Sequence, residues 1–310
     1  MENDSGKSKE TEKPNVRRRI QYLLTVGLSP SKTSVAVQRQ IPAMAAAVLF
    51  WIGIFVFIPS ASGGPPFLTD DPEPVDYKHW EFYLAHMYTN DKNGIFGTAP
   101  HIEVNHGVVP NVQLHLLAPL AYNRPHGEAA QYGFGDLELG VKYRFVQETD
   151  TRPMVGTFPL IHLPTGDQSR GLGNGDPQFF LPFWFQKGWG PWQTYGGGGY
   201  WINPGTGNKN YWFLGWQGQR DLTKWLTLGA EIFYVTPPTT DSSHQVGYNI
   251  GGFINFTEEH HLIFSAGSDI YGDTHSRYYI AYLFTWGLPQ RLVRTVNERG
   301  GGKCKKEQRA

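Results

Sequence analysis

The chain has 310 residues, room for one large domain or two small ones, and its 27 basic side chains balance 27 acidic ones, so a nucleic-acid partner is not indicated. Aromatics make up 15% and charged residues only 17%, a poor match to a soluble enzyme, while a mean hydropathy of -0.40 argues against a helical membrane bundle but not against a barrel. The single cysteine, Cys304, allows no disulfide framework and no Cys-based metal site within one chain.

Residues 1–40 are polar and charged, with Arg17-Arg18-Arg19 in the middle, and are too long for the basic flank of a secretory signal. Two readings stay open: an over-extended start, with the true one near Val35, Val37 or Met44, or a disordered cytoplasmic arm. Ile41 to Ile58 is strongly apolar, is preceded by Arg39, and ends in Pro59-Ser60-Ala61-Ser62-Gly63-Gly64. Small residues and a turn, rather than a basic stop-transfer cluster, follow it. Residues 41–64 are therefore read as a signal peptide in preference to a permanent helix. Gly64 to Pro74 then forms a Pro-rich extended lead-in.

From Trp80 to Trp286 the chain keeps a two-residue beat. Leu226, Leu228, Ala230, Ile232 and Tyr234 alternate with Thr227, Gly229, Glu231 and Phe233. Strands are expected near 79–88, 98–107, 111–122, 132–146, 154–163, 177–186, 192–201, 210–219, 225–235, 246–256, 261–270 and 276–286. Each is about as long as a tilted strand needs to cross a bilayer. Short connections, such as 108–110 and 187–191, alternate with longer ones at 89–97, 123–131, 164–176, 202–209 and 236–245. That is the order of periplasmic turns and extracellular loops. The turn at 147–153 is longer than this pattern favours. The expected fold is an all-β transmembrane antiparallel barrel of about 12 strands over 65–286. A disordered basic tail over 287–310 follows the last aromatic strand.

Strand parity places Leu137, Leu139, Val141, Tyr143, Phe145, Val246, Tyr248, Ile250, Ile254, Tyr278, Ile280, Tyr282, Phe284 and Trp286 toward lipid. The same parity assigns Glu81, Glu103, His115, Asp136, Glu138, Lys142, Arg144, Glu231, Asp269 and Arg277 to the lumen. Charge facing lipid costs a few kcal/mol near the midplane, so this segregation is informative. Tyr83, Tyr195, Tyr211 and Phe233 share the lumen parity, which suits amphipathic aromatic solutes better than sugars or ions. Tryptophans 80, 192, 201, 225 and 286 fall at strand ends, the place of interfacial girdles. A soluble β-sandwich is the rival architecture.

Gly135-Asp136-Leu137-Glu138-Leu139-Gly140-Val141-Lys142-Tyr143-Arg144-Phe145, with Leu163-Pro164-Thr165-Gly166-Asp167 and Gly173-Asn174-Gly175-Asp176-Pro177, resembles the outer-membrane transporter family named after the meta-pathway of phenol degradation. The resemblance covers most of 65–286. It implies a bacterial outer-membrane barrel passing small aromatic or hydrophobic compounds. Lipid and the barrel-insertion machinery would be its partners. The chain departs from the usual pattern in running 24 residues past Trp286.

Other motifs carry less. Gly171 to Asp176 lacks the strand-before, helix-after context of a phosphate loop, and a single copy cannot make a calcium β-roll. Glu258-Glu259-His260-His261 lacks HExxH spacing and reads as a solvated turn. No Ser-His-Asn constellation of a barrel lipase is evident around His275-Ser276. Gly196 to Gly199 is read as a strand section of close approach, with a thin wall or lateral opening as the alternative. No catalytic residue, metal or cofactor is assigned. The expected function is passive passage of small hydrophobic or aromatic compounds through a narrow, partly obstructed barrel. A surface-interaction barrel without transport and a barrel hydrolase are the alternatives.

Overall fold

A computed structural model describes residues 65–287. The extension expected over 1–40, the signal peptide over 41–64 and all but Gly287 of the tail lie outside the described residues. The segments are β1 (His79–Asn90), β2 (Gly94–Val109), β3 (Val112–Pro125), β4 (Gln131–Phe134), β5 (Leu137–Val146), β6 (Met154–Thr157), β7 (Leu160–Leu163), β8 (Gln178–Trp189), β9 (Trp192–Ile202), β10 (Tyr211–Asp221), β11 (Leu226–Val235), β12 (Gln245–Asn255), β13 (His260–Tyr271) and β14 (Ser276–Gly287). Neighbours pair antiparallel, and β1 pairs with β14 from His79↔Gly287 to Asn90↔Ser276, which closes the sheet. Closure leaves no long edge for another chain to extend.

Two wall strands are interrupted, so the fourteen segments make twelve spans. β3 pairs Leu120 with Phe134 but Leu117 with Glu138, so its partner strand carries one extra residue at Gly135-Asp136, a bulge. The second break, Phe158-Pro159, faces the stretch of β8 that holds Pro182. A proline on each facing strand removes a ladder donor, and pairing lapses between Gly156↔Trp184 and Leu160↔Phe180. Thr157 Oγ1 donates to Pro182 O (2.6 Å) across the gap.

One connection differs from expectation. The first outer hairpin spans only Asp91 to Asn93, because β1 and β2 both extend past the expected ends. Asp91 Oδ1 holds that turn by accepting from Asn93 N and Gly94 N. The loop at 164–177 is the longest connection between strands among the described residues. β9 is paired along both edges through Gly196 to Gly199, so the lateral opening entertained for that run is absent. The glycines instead make room for rings on both faces. A Cβ at Gly196 would meet Trp216 on the outside, and one at Gly197 would meet Trp184 on the inside.

The outward positions form a continuous apolar belt. Phe183, Trp216, Ile232 and Ile250 are each more than half exposed, whereas inward Trp184, Tyr195 and Phe233 are at most 2% exposed. A soluble sandwich would bury that greasy face; here it is the outside, which only hydrocarbon can cover.

Candidate functional site

The segment expected as an extended lead-in instead runs inside the barrel. Lys78 N donates to Gly107 O (2.7 Å) at the entry, and upstream residues turn into the lumen. Pro66, Phe67, Thr69, Asp71, Pro72 and Pro74 are buried. Four prolines between 65 and 74 leave few backbone donors to satisfy, which makes an irregular buried path tolerable. The remaining donors and charges find partners on the wall. Ser265 Oγ donates to Pro66 O (2.6 Å), while Leu68 N and Thr69 N both donate to the Glu231 carboxylate (2.8 Å each). Lys142 Nζ binds Asp70 at 2.9 Å and lies 3.6 Å from Asp71. Gln186 Nε2 donates to Glu73, Arg144 lies 3.7 Å from the same carboxylate, and Val75 N donates to Gln113. A Cβ at Gly215 would strike Thr69, so this wall glycine gives the plug its close approach.

The residues assigned to the lumen fall into separate groups. Lys142, Arg144 and Glu231 hold the plug. Glu81, Glu103, His115 and Glu138 form a polar network on β1, β2, β3 and β5. In it, Asn105 donates to Glu103 (2.9 Å), His115 Nδ1 lies 2.7 Å from Asn105, and His115 Nε2 lies 2.8 Å from Glu138 Oε1. His162 on β7 takes the other Glu138 oxygen and passes the chain to Gln178 (3.2 Å). The space between Pro65, Glu81, Glu103, Asn105 and Lys142 is about 20 Å³, enough for roughly one water. Asp269 is paired near the outer rim with Arg277 (2.6 Å) and His275, and the Arg277 guanidinium covers the Phe233 ring at 5.1 Å.

Asp136 departs from its assignment as a wall residue. It sits in the bulge between β4 and β5, and its two oxygens accept from Gly166 N (2.9 Å) and Asn174 N (2.6 Å). The loop at 164–177 is thereby tied over the outer edge of β4, which has no other strand partner among the described residues. Arg170 completes the tie through Gln131 and Tyr132 O. In the outer loops Lys92 and Asp273 pair at 2.7 Å; that hydrogen bond raises the ammonium pKa and lowers the carboxyl pKa.

The charge-based reading missed His162 and the neutral polar set Asn105, Gln113, Gln186, Gln217 and Asn249, all inward. Their parity was available in the strands; only the restriction to charged side chains hid them.

A lane of rings runs beside the plug. Phe158, Phe180, Trp184, Phe213 and Phe233 form a buried cluster, with Trp201 packed on it. Trp201 stacks between Phe180 (4.7 Å) and Tyr211 (5.9 Å), while Phe213 stacks on Phe233 at 6.2 Å. Edge-to-face contacts of Trp184 with Phe180 and Phe213 join the two stacks.

The model of a family described as "Putative MetA-pathway of phenol degradation" matches residues 85–282. Among solved structures, an outer-membrane channel from Pseudomonas putida F1 is similar at 15% identity. The match covers 73% of this chain and 100% of that one, with a TM-score of 0.58. The KdgM porin matches at 8% identity, over 66% of this chain and 99% of that one, with a TM-score of 0.48. No curated protein matches the sequence.

Proposed function

The chain belongs to the phenol-degradation family whose model spans 85–282, and from that premise we propose that it is an outer-membrane channel for passive passage of small hydrophobic or aromatic compounds. The observation that carries this reading is the ring lane from Tyr211 and Trp201 through Phe180 and Trp184 to Phe213 and Phe233. Successive faces and edges let a planar solute exchange one ring contact for the next, each worth about 0.5–1.5 kcal/mol beyond area burial. No single site then binds tightly enough to trap it, as conduction requires. The charged, proline-rich plug fills the polar remainder of the lumen and leaves little room for hydrated solutes. In this reading residues 41–64 are removed on export, the insertion machinery delivers the barrel, and 65–78 folds back into it.

The test is flux into proteoliposomes, comparing a neutral aromatic alcohol with a sugar of similar size. The aromatic solute should enter faster. Trp201→Ala with Phe180→Ala should slow it several-fold, and deletion of 65–74 should raise both fluxes. Equal entry of both solutes, unaffected by the ring substitutions, would overturn the proposal. N-terminal sequencing of exported protein should begin within 62–66; retention of residues before Ile41 would refute removal of the signal.

A further inference from the structure

Cross-strand pairing lines up Gln186 on β8, Tyr195 on β9 and Gln217 on β10 as direct neighbours in one inward row. All three are at most 3% exposed, yet Gln186 Oε1, Tyr195 OH and Gln217 Oε1 have no hydrogen-bond partner among the described residues. The amide of Gln186 is oriented by its neighbour: its nitrogen donates to Glu73, and a carboxylate can only accept, so the oxygen must face away. The Gln217 nitrogen donates to Gln219 Oε1 (2.9 Å).

The plug supplies the facing side. Thr69 lies against Gly215, two residues before Gln217, and Glu73 is tied to Gln186. Asp71 is thereby held between these anchors, in the electrostatic reach of Tyr195. Asp71 Oδ1 accepts from Glu73 N (2.6 Å) and faces Lys142, whereas Asp71 Oδ2 and Thr69 Oγ1 are fully buried and have no partner among the described residues. Five buried oxygens of this plug–wall seam thus have no hydrogen-bond partner among the described residues. The charges around them are Asp70, Asp71, Glu73 and Glu231 against Lys142 and Arg144, an excess of negative charge.

We propose that the plug–wall interface holds a hard divalent cation of the calcium class, bound by Asp71 Oδ2 with the amide oxygens of Gln217 and Gln186 and the hydroxyls of Tyr195 and Thr69 around it. Calcium accepts carboxylate, amide, hydroxyl and water oxygens in a tolerant geometry, whereas magnesium demands a near-ideal octahedron. Imidazole and thiolate, which would favour softer metals, are absent from this donor set. Water is the competing occupant: its two donors suit the amide and carboxylate oxygens, and the Tyr195 and Thr69 hydroxyls with Trp184 Nε1 can donate in return, so what favours the ion is the excess of negative charge around the seam. The ion joins the plug to three wall strands, so its occupancy strengthens the closed arrangement.

The experiment uses the exported protein in detergent after chelation. Terbium replaces calcium as the probe, with luminescence sensitised by Tyr195 and Trp184, and calcium, magnesium and sodium serve as competitors. Calcium should displace terbium better than magnesium and far better than sodium. Asp71→Asn should weaken terbium binding at least ten-fold, Gln217→Met by a smaller factor, and Glu259→Gln in an exposed turn not at all. Folding of each variant is read from heat-modifiable gel mobility; should Asp71→Asn fail to fold, Gln217→Met decides. A wild-type protein without calcium-displaceable luminescence would overturn the site, as would undiminished affinity in the deciding variant, which would leave water at the interface and surface carboxylates as the terbium ligands. Binding is read without any flux, so its failure is distinct from failure of the transport proposal.

Discussion

Glu231 shows how one inward carboxylate acquires its task. It stands opposite Gln217 and Asn249 on the neighbouring strands, and its oxygens accept from Leu68 N, Thr69 N and Asn249 Nδ2. Hydrogen bonds to a charged acceptor contribute roughly 1.5–3 kcal/mol each. Glu231→Ala removes both bonds to the plug backbone, so the plug should leave the lumen more often. Single-channel recordings should show open time increased by tenfold or more, since about 1.4 kcal/mol is a factor of ten; an unchanged open time would show that the plug is held elsewhere. Outward positions answer to a different solvent. Val141 is exposed on the belt beside inward Lys142. Val141→Arg should lower the yield of inserted barrel, at about 2–4 kcal/mol near the midplane. Vesicle folding assays against urea would measure this, and a wild-type yield would contradict the facing assignment.

At the scale of elements, the family-like motifs are brought together as a clamp. Gly135-Asp136 supplies the bulge, Thr165 Oγ1 donates to Gly135 O (2.8 Å), and Asp136 accepts from the backbone of Gly166 and Asn174. These residues lie 30 or more positions apart in sequence, so their spacing did not announce the contact. Asp136→Ala should release the loop at 164–177 while leaving the barrel closed. Trypsin should then cut after Arg170 faster than in the parent, as followed by mass spectrometry; equal rates would assign the loop's order to Arg170 and its partners on β4. The twelve spans themselves were readable from alternation, including both interrupted ones. The interruptions were not readable. A bulge depends on which residues of β3 face Phe134 and Glu138, and a lapse in pairing depends on Pro159 and Pro182 meeting across a ladder.

For the whole molecule, closure between β1 and β14 means that neither of these strands can leave without breaking two ladders. Unboiled protein should therefore migrate anomalously in detergent gels with a β-type circular dichroism spectrum, and boiling should abolish the shift. A helical spectrum before heating would contradict the fold. Barrel, span number and the parity of the charges on regular strands were determined by the sequence alone, because a period of two in side-chain chemistry is a local property that survives any arrangement of the strands; Asp136, in a bulge, lies outside that period. The place of 65–78 was decided only by the tertiary structure. A proline-rich stretch has no period to read, and its partners Glu231 and Ser265 lie 162 to 199 residues away. The same holds for the buried oxygens along the seam near Asp71: each belongs to an unremarkable residue, and only the register of β8, β9 and β10 makes Gln186, Tyr195 and Gln217 neighbours.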